Sequence, residues 1–245
     1  MNDVPETPFA RFYKTPSMQC PYLADQSEQL VFTHLESEES DGLHGLLADA
    51  GFRRSHNILY RPDCPNCNAC VPVRVFASDF APSRSQRRVL SINGDVLGAI
   101  LEPNATAEQF DLFVRYQTSR HSDGSMAEMA FEDYQSMVED TPVKTLIIEY
   151  RTADDTLVAC ALSDSLNDGL SMVYSFFDPK AGRRSLGTFM ILDHIRRATR
   201  LKYDFVYLGY WIAEAPGMTY KTNFHPIETL GHGGWKRLEL TPPHD

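Results

Sequence analysis

The sequence predicts a mixed α/β (α+β) protein built on one sheet that a long helix crosses. Three observations carry that prediction. Val143 to Tyr150, Leu157 to Ser163 and Leu170 to Phe177 are strand-like runs separated by polar turns, the pattern of an antiparallel meander. Leu186, Phe189, Leu192, Ile195 and Ala198 then recur every third residue on one helical stripe. A further apolar run, Phe205 to Leu208, follows that helix, and strand–helix–strand order calls for a crossover connection.

The first half is less regular. Met1 to Ser17 is Pro-rich and is expected to wrap the surface. Glu36, Glu38, Glu39 and Asp41 form an acidic turn or helix start, followed by Leu43, Leu46 and Leu47 at helical spacing and a stop at Gly51. Ile58 to Tyr60 and Val71 to Val75 read as strands flanking a cysteine-containing loop, with Pro72 marking an edge or a strand start. Arg84, Arg87 and Arg88 make a basic segment, and helices are expected from Ala105 to about His121 and from Phe131 to Glu139. A smaller N-terminal region with the cysteine loop (residues 1–95) and a C-terminal region holding the sheet (96–245) are expected to pack closely together.

Composition narrows the function classes. Apolar residues make up 42% and charged residues 23% of the 245, which excludes wholesale disorder and a collagen-like fibre. No apolar run approaches the 18 or so residues a membrane helix needs, and no secretory signal pattern is visible, so the expected setting is cytoplasmic, with no membrane partner. The net charge of −10 argues against indiscriminate coating of nucleic acid, DNA included, but leaves room for a local basic path.

Cys64, Cys67 and Cys70 form a Cys-x2-Cys-x2-Cys run. Thiolates on a tight loop can converge on zinc or an iron–sulfur cluster, and Cys20 or a histidine could supply a fourth ligand. The alternative is that these are small loop residues beside a strand. Cys160, inside a strand-like run, reads as core.

The turn before the long helix, Asp178 to Thr188, carries basic side chains, a glycine and free amides at a helix N-terminus, an anion-binding arrangement with Ser185 as candidate cap. Acyltransferases of the N-acetyltransferase superfold hold pyrophosphate on a loop of the type (Gln/Arg)-x-x-Gly-x-(Gly/Ala). Arg184 and Gly187 match it, whereas Phe189 fills the last small position, where its ring would oppose a coenzyme A pyrophosphate. From Arg183 to Lys202 six basic residues face one acid, Asp193, a local charge inversion that suits a phosphate backbone or, alternatively, a solvated helix face. Tyr174, Phe176, Tyr210, Trp211 and Tyr220 could line a pocket, and the guanidinium of Arg74 could grip a carboxylate.

Taken in order, several segments resemble those of a known family. They are Cys20-Pro-Tyr-Leu23, Tyr60 to Cys64, Cys70-Val-Pro-Val-Arg74, Phe80 to Val89, Tyr116 to Gly124, Ser175 to Pro179, Arg184 to Thr188, Tyr207 to Ile212, and Tyr220-Lys221. The chain resembles the bacterial aspartate/glutamate leucyltransferases, relatives of the eukaryotic arginyl-tRNA–protein transferases. Two segments depart from the pattern. Ser91 to Gly94 stands where an Arg-Asn pair is expected, and Leu23 stands where eukaryotic relatives carry a second cysteine.

The resemblance implies an acetyltransferase-like (GNAT) mixed sheet with a crossover helix. It also implies transfer of leucine from leucyl-tRNA to proteins beginning with Asp or Glu, which creates an N-degron for proteolysis. Arginine as donor, a coenzyme A-dependent N-acetyltransferase and a non-catalytic RNA-binding module are the alternatives. The residues expected to hold the acceptor and the aminoacyl group are Arg74, Arg120, His121, Tyr174, Phe176, Trp211, Tyr220 and Lys221. Asp178 and Tyr210 are expected at the chemistry. Arg84, Arg87, Arg88, Arg183, Arg184, Gly187, Arg196, Arg197 and Arg200 are expected along the tRNA, and Cys20, Cys64, Cys67 and Cys70 at a metal or cluster. The chemistry itself requires no cofactor.

Overall fold

A computed structural model describes residues 10–36, 40–122 and 124–239; the first nine residues of the Pro-rich start, Glu38 and Glu39 of the acidic turn, and Asp123 lie outside the described residues. The N-terminal elements are β1 (Tyr13–Lys14), β2 (Met18–Gln19), β3 (Ser27–Glu28), β4 (Leu30–His34), α1 (Ser40–Asp49), β5 (Arg53–Ser55), β6 (Ile58–Pro62) and β7 (Val71–Phe76). Next come α2 (Arg84–Ile92), β8 (Leu97–Leu101), α3 (Ala107–Arg120) and α4 (Phe131–Glu139). The meander is β9 (Thr145–Arg151), β10 (Leu157–Ser165) and β11 (Gly169–Phe177). Then α5 (Leu186–Leu201) leads to β12 (Phe205–Trp211), and the hairpin β13 (Ile227–Gly231) and β14 (Gly234–Arg237) follows.

An eight-stranded sheet runs β14-β13-β7-β12-β11-β10-β9-β8, and a smaller one runs β1-β4-β6-β5. The meander and its crossover are as the sequence predicts: β9, β10 and β11 pair antiparallel, and α5 carries the chain to β12, parallel to β11. This is the mixed α/β layout with a crossover helix that the sequence predicts. Alternation along β10 explains the two helical layers. Ala159 and Ala161 face the cluster that holds α5, while Cys160 and Leu162 face the one that holds α3 and α4. Eight buried residues of α5, from Leu186 to Ala198, anchor it; each large apolar side chain among them contributes about 1.5–3 kcal/mol. Cys160 is core, as expected.

The strand β7 differs from expectation. Pro72 suggests an edge, yet β7 lies between β12 and β13. A central position tolerates this proline because pairing with β13 covers Val73 to Val75 and stops short of it. The division expected near residue 95 therefore crosses one continuous sheet, to which residues 71–76 contribute a strand. The short elements α2, β8, β13 and β14 had no clear periodic signal. The small sheet is tied to the large one by a buried ion pair between β5 and β10: Arg54 donates to both carboxylate oxygens of Asp164 at 2.7 Å, and Thr145 adds a 2.8 Å bond to the same group.

Candidate active site

The pairing of β11 with β12 covers only Gly169 to Ser171 against Phe205 to Tyr207, although both strands run on. Past that point a cleft of about 810 Å³ opens, lined by β11, the first turn of α5, the end of α3 and the turn Pro216–Asn223. Where strands part, backbone groups need other partners. Arg53 of β5 supplies them: its Nη2 donates to the carbonyls of Met172 at 2.6 Å and Val173 at 3.3 Å. Its Nη1 is buried with no hydrogen-bond partner among the described residues. Gly209 makes room for this side chain. It has φ +80°, and a Cβ there would lie 2.5 Å from Nη1 and 2.7 Å from Cζ of Arg53.

The basic groups lining the cleft are Arg53, Arg120, His121 and Lys221; among the described residues no Asp or Glu lines it. Lys221 reaches back to β12, where its Nζ donates to the Tyr210 carbonyl at 2.5 Å. Burial, and after it the Arg53 charge, lowers the Lys221 pKa to about 7. The lining tyrosines are Tyr22, Tyr116, Tyr174 and Tyr220, and burial raises the pKa of each. They hold their protons at neutral pH. Met172, Val173, Ile191, Leu208 and Met218 supply an apolar wall.

Five of the ten residues expected at the acceptor, the aminoacyl group or the chemistry meet here: Arg120, His121, Tyr174, Tyr220 and Lys221. Arg120 and His121 end α3, which a Thr106–Gln109 capping box starts, and Tyr174 accepts a bond from Gln117 at 2.7 Å.

The structure does not bring the other five to the cleft. Arg74 is buried in β7, its Nε on Glu228 at 2.8 Å and its Nη1 on Asp49 and Tyr207 at 3.0 and 3.1 Å. Its guanidinium also lies 3.6 Å from the Phe205 ring centre and 4.2 Å from that of Trp235. Two carboxylates answer its charge and two rings cover its faces, so its guanidinium is engaged within the fold and away from the cleft. Phe176 is 1% exposed; two residues beyond Tyr174 on the same side of β11, it lies under α3 and α4, edge-on to Phe113 and Tyr134. Trp211 packs against the main core with its Nε1 unpartnered among the described residues. The Tyr210 hydroxyl lies within hydrogen-bond distance of the Gly51 and Tyr60 carbonyls, and Asp178 accepts from the Lys180 amide at 2.9 Å as the cap of its own turn.

Among the expected RNA contacts, Gly187 lines the cleft, and Arg84, Arg87, Arg88, Arg183, Arg196 and Arg200 are exposed. Arg184 is held by Asp95 through bonds of 2.7 and 2.9 Å, and Arg197 by Asp193 and the Gly98 carbonyl. Ser185 occupies the cap position of α5 in a left-handed conformation without making a side-chain cap. Phe189 turns into the core against Tyr150, so its ring does not obstruct the helix entrance. Arg53 was missed by sequence reasoning, since nothing around it distinguishes it from its neighbour Arg54.

Cys20, Cys64, Cys67 and Cys70 line a separate cavity of about 630 Å³. Burial and the neighbouring thiols push Cys70 up to about 12. Their chemistry suits a thiophilic ion, but among the described residues no three His, Cys, Asp or Glu side chains stand close enough together to hold one.

Two family models match the chain. Residues 18–88 match the N terminus of arginine-tRNA-protein transferase and residues 108–231 its C terminus. An aspartate/glutamate leucyltransferase of Paramagnetospirillum magneticum is 51% identical over 227 residues, 93% of each chain. One of Parvibaculum lavamentivorans is 50% identical over 236 residues, 96% of this chain and 98% of that one. Among solved structures, L-PGS from Bacillus licheniformis is similar at 14% identity and a TM-score of 0.47, over 71% of this chain and 53% of that one. On both family matches and on half-identity across nearly its whole length, the chain belongs to the aspartate/glutamate leucyltransferase family of arginine-tRNA-protein transferase relatives.

Proposed function

We propose that this protein transfers leucine from leucyl-tRNA to the N-terminus of proteins beginning with Asp or Glu, marking them as N-degrons for proteolysis. The observation that supports this best is a cleft lined by four basic groups and, among the described residues, no carboxylate, beside an apolar wall. Such a lining favours an acidic acceptor residue and an apolar donor side chain. An arginyl donor would need an acid facing its guanidinium, and no described residue of the lining supplies one.

In this reading Arg120 and His121, at the end of α3, grip the acceptor's side-chain carboxylate. Met172, Val173, Ile191, Leu208 and Met218 enclose the leucyl group, with Tyr174 and Tyr220 at its edges. The first turn of α5, with Gly187, takes the terminal phosphate of the tRNA on its amides. The exposed arginines of α2 and α5, with Arg183, follow the RNA beyond it. The acceptor's α-amine then attacks the ester carbonyl that joins leucine to the terminal ribose, and the gain comes from holding two large partners in register.

The test charges tRNA separately with labelled leucine and labelled arginine and offers peptides starting with Asp, Glu, Lys or Ala. Label moving from leucyl-tRNA to the Asp and Glu peptides alone is expected. Transfer from arginyl-tRNA, or equal transfer to the Lys and Ala peptides, would overturn the donor or the acceptor assignment respectively.

A further inference from the structure

We infer that Lys221 is the base that takes a proton from the acceptor's α-ammonium group, an inference that rests on the transferase reading.

An aminolysis of this kind needs a free amine, and the acceptor arrives mostly as ammonium at neutral pH, since an α-amino group has a pKa of about 7.7–8.0. A group in the cleft that accepts that proton raises the reactive fraction of the bound acceptor. A carboxylate would be the usual candidate, but among the described residues no Asp or Glu lines the cleft. Its four tyrosines are held in the protonated form by burial. The guanidinium groups of Arg53 and Arg120 do not release protons in proteins. Two groups remain, His121 and Lys221.

Geometry separates the two. His121 is exposed at the C-terminal end of α3, 5.6 Å from the Tyr116 ring centre and next to Arg120. That is the place of a group gripping a side chain. Lys221 is partly buried, and one N–H is committed to the Tyr210 carbonyl of β12. When neutral, that amine keeps one further N–H and a lone pair, fixed in direction by the bond already made. Among the described residues lining the cleft, the permanent charges are both of its own sign, Arg53 from β5 and Arg120 from the end of α3, and the one other titratable nitrogen is the His121 imidazole. The Tyr116, Tyr174 and Tyr220 hydroxyls add none at neutral pH. With burial and Arg53 both disfavouring the ammonium form, a pKa of about 7 leaves a large neutral fraction at working pH. Arg53 is the positioning residue here, clamped by two backbone carbonyls so that its charge stays where the strands part.

Atoms and protons balance through the cycle. Neutral Lys221 takes one proton from the acceptor ammonium. The freed amine forms the C–N bond to the ester carbonyl carbon. As the tetrahedral adduct collapses, the C–O bond to the ribose breaks and the departing oxygen receives the second proton of the attacking nitrogen. Lys221 returns its proton to water, so each turnover releases one proton.

The experiment measures steady-state transfer of labelled leucine from leucyl-tRNA to a peptide starting with Glu, as a function of peptide concentration and pH, for the native protein, Lys221→Arg, Lys221→Ala and His121→Gln. Lys221→Arg keeps a donor for the Tyr210 carbonyl but cannot accept a proton. Its permanent charge beside Arg53 should lower Tm, so the rate is read well below that Tm; there it should lose at least about 100-fold in kcat, the usual scale for a general base, with peptide KM within about threefold. Added primary amines should restore Lys221→Ala, the rate rising with amine basicity. His121→Gln should raise KM for the peptide and leave the pH profile of kcat in place. The proposal is overturned if Lys221→Arg transfers leucine within about threefold of native, or if amines fail to restore Lys221→Ala. It is overturned too if the fall of kcat on the acid side, expected as Lys221 becomes protonated, is absent in His121→Gln. A native protein that moves no leucine at all would refute the transferase reading instead.

Discussion

Replacing Gly209 with alanine tests whether the parting of β11 and β12 depends on Arg53. The magnitude follows from two contributions. A non-glycine residue at φ +80° costs about 1–2 kcal/mol of backbone strain. The new Cβ would also stand 2.5 and 2.7 Å from Nη1 and Cζ of Arg53, forcing the guanidinium outward. That movement breaks its 2.6 Å bond to the Met172 carbonyl, a charge-assisted interaction of about 1.5–3 kcal/mol. The sum is about 2.5–5 kcal/mol, and at about 2–4 °C per kcal/mol for a chain of this length it lowers Tm by roughly 5–20 °C. Transfer should fall about 100-fold even well below that Tm, the usual result of displacing reacting groups by about an ångström. The decisive assay is a double-mutant cycle with Arg53→Met. In the Arg53→Met background Gly209→Ala should cost only the backbone strain, about 1–2 kcal/mol. Equal costs in the two backgrounds would show that Gly209 does not act through Arg53, and the cleft would owe its opening to something else.

Other consequences are open to measurement. Asp164→Ala strands the buried Arg54 guanidinium and should cost about 3–5 kcal/mol in thermal or urea unfolding, while the Arg54→Met/Asp164→Leu pair recovers most of it; a single-variant cost under about 1 kcal/mol would assign the pair no such role. Because the folded-state pKa of Lys221 lies below its ordinary 10.5, at about 7, the unfolded chain binds more protons between those values and native stability rises across that window. Lys221→Met should therefore be more stable than native below about pH 7, by roughly 2–4 kcal/mol, with the advantage shrinking toward about pH 10. A pH-independent difference in chemical denaturation would contradict the depressed pKa. Changing the exposed Arg196 and Arg200 to Gln should reduce the slope of log K against log salt for tRNA binding by about 0.7–0.9 for each phosphate no longer neutralised. Arg197→Gln should barely move that slope, because Asp193 and the Gly98 carbonyl already hold its guanidinium; a slope unaltered in all three variants would place this face in solvent.

What the sequence by itself determined was the set of elements whose burial is periodic. The α5 stripe, the three meander strands and the helices at 107–120 and 131–139 were legible because a helix or a strand repeats its buried face locally. Half of the cleft was legible for a different reason: the segments that hold Arg120-His121 and Tyr220-Lys221 resemble those of the leucyltransferases, while no local period marks these residues. Only the tertiary structure decided which cations are free to act. Arg74 and Arg53 look alike as polar residues on short strands, yet Arg74 meets Glu228, 154 positions away, while Arg53 meets the unpaired carbonyls of β11, 119 and 120 positions away. Lys221 is likewise an ordinary surface lysine until β12 buries its amine and Arg53 opposes its charge. Periodicity records which side of an element is covered. A charge's chemistry depends on what covers it, and partners so distant in the chain leave no local trace.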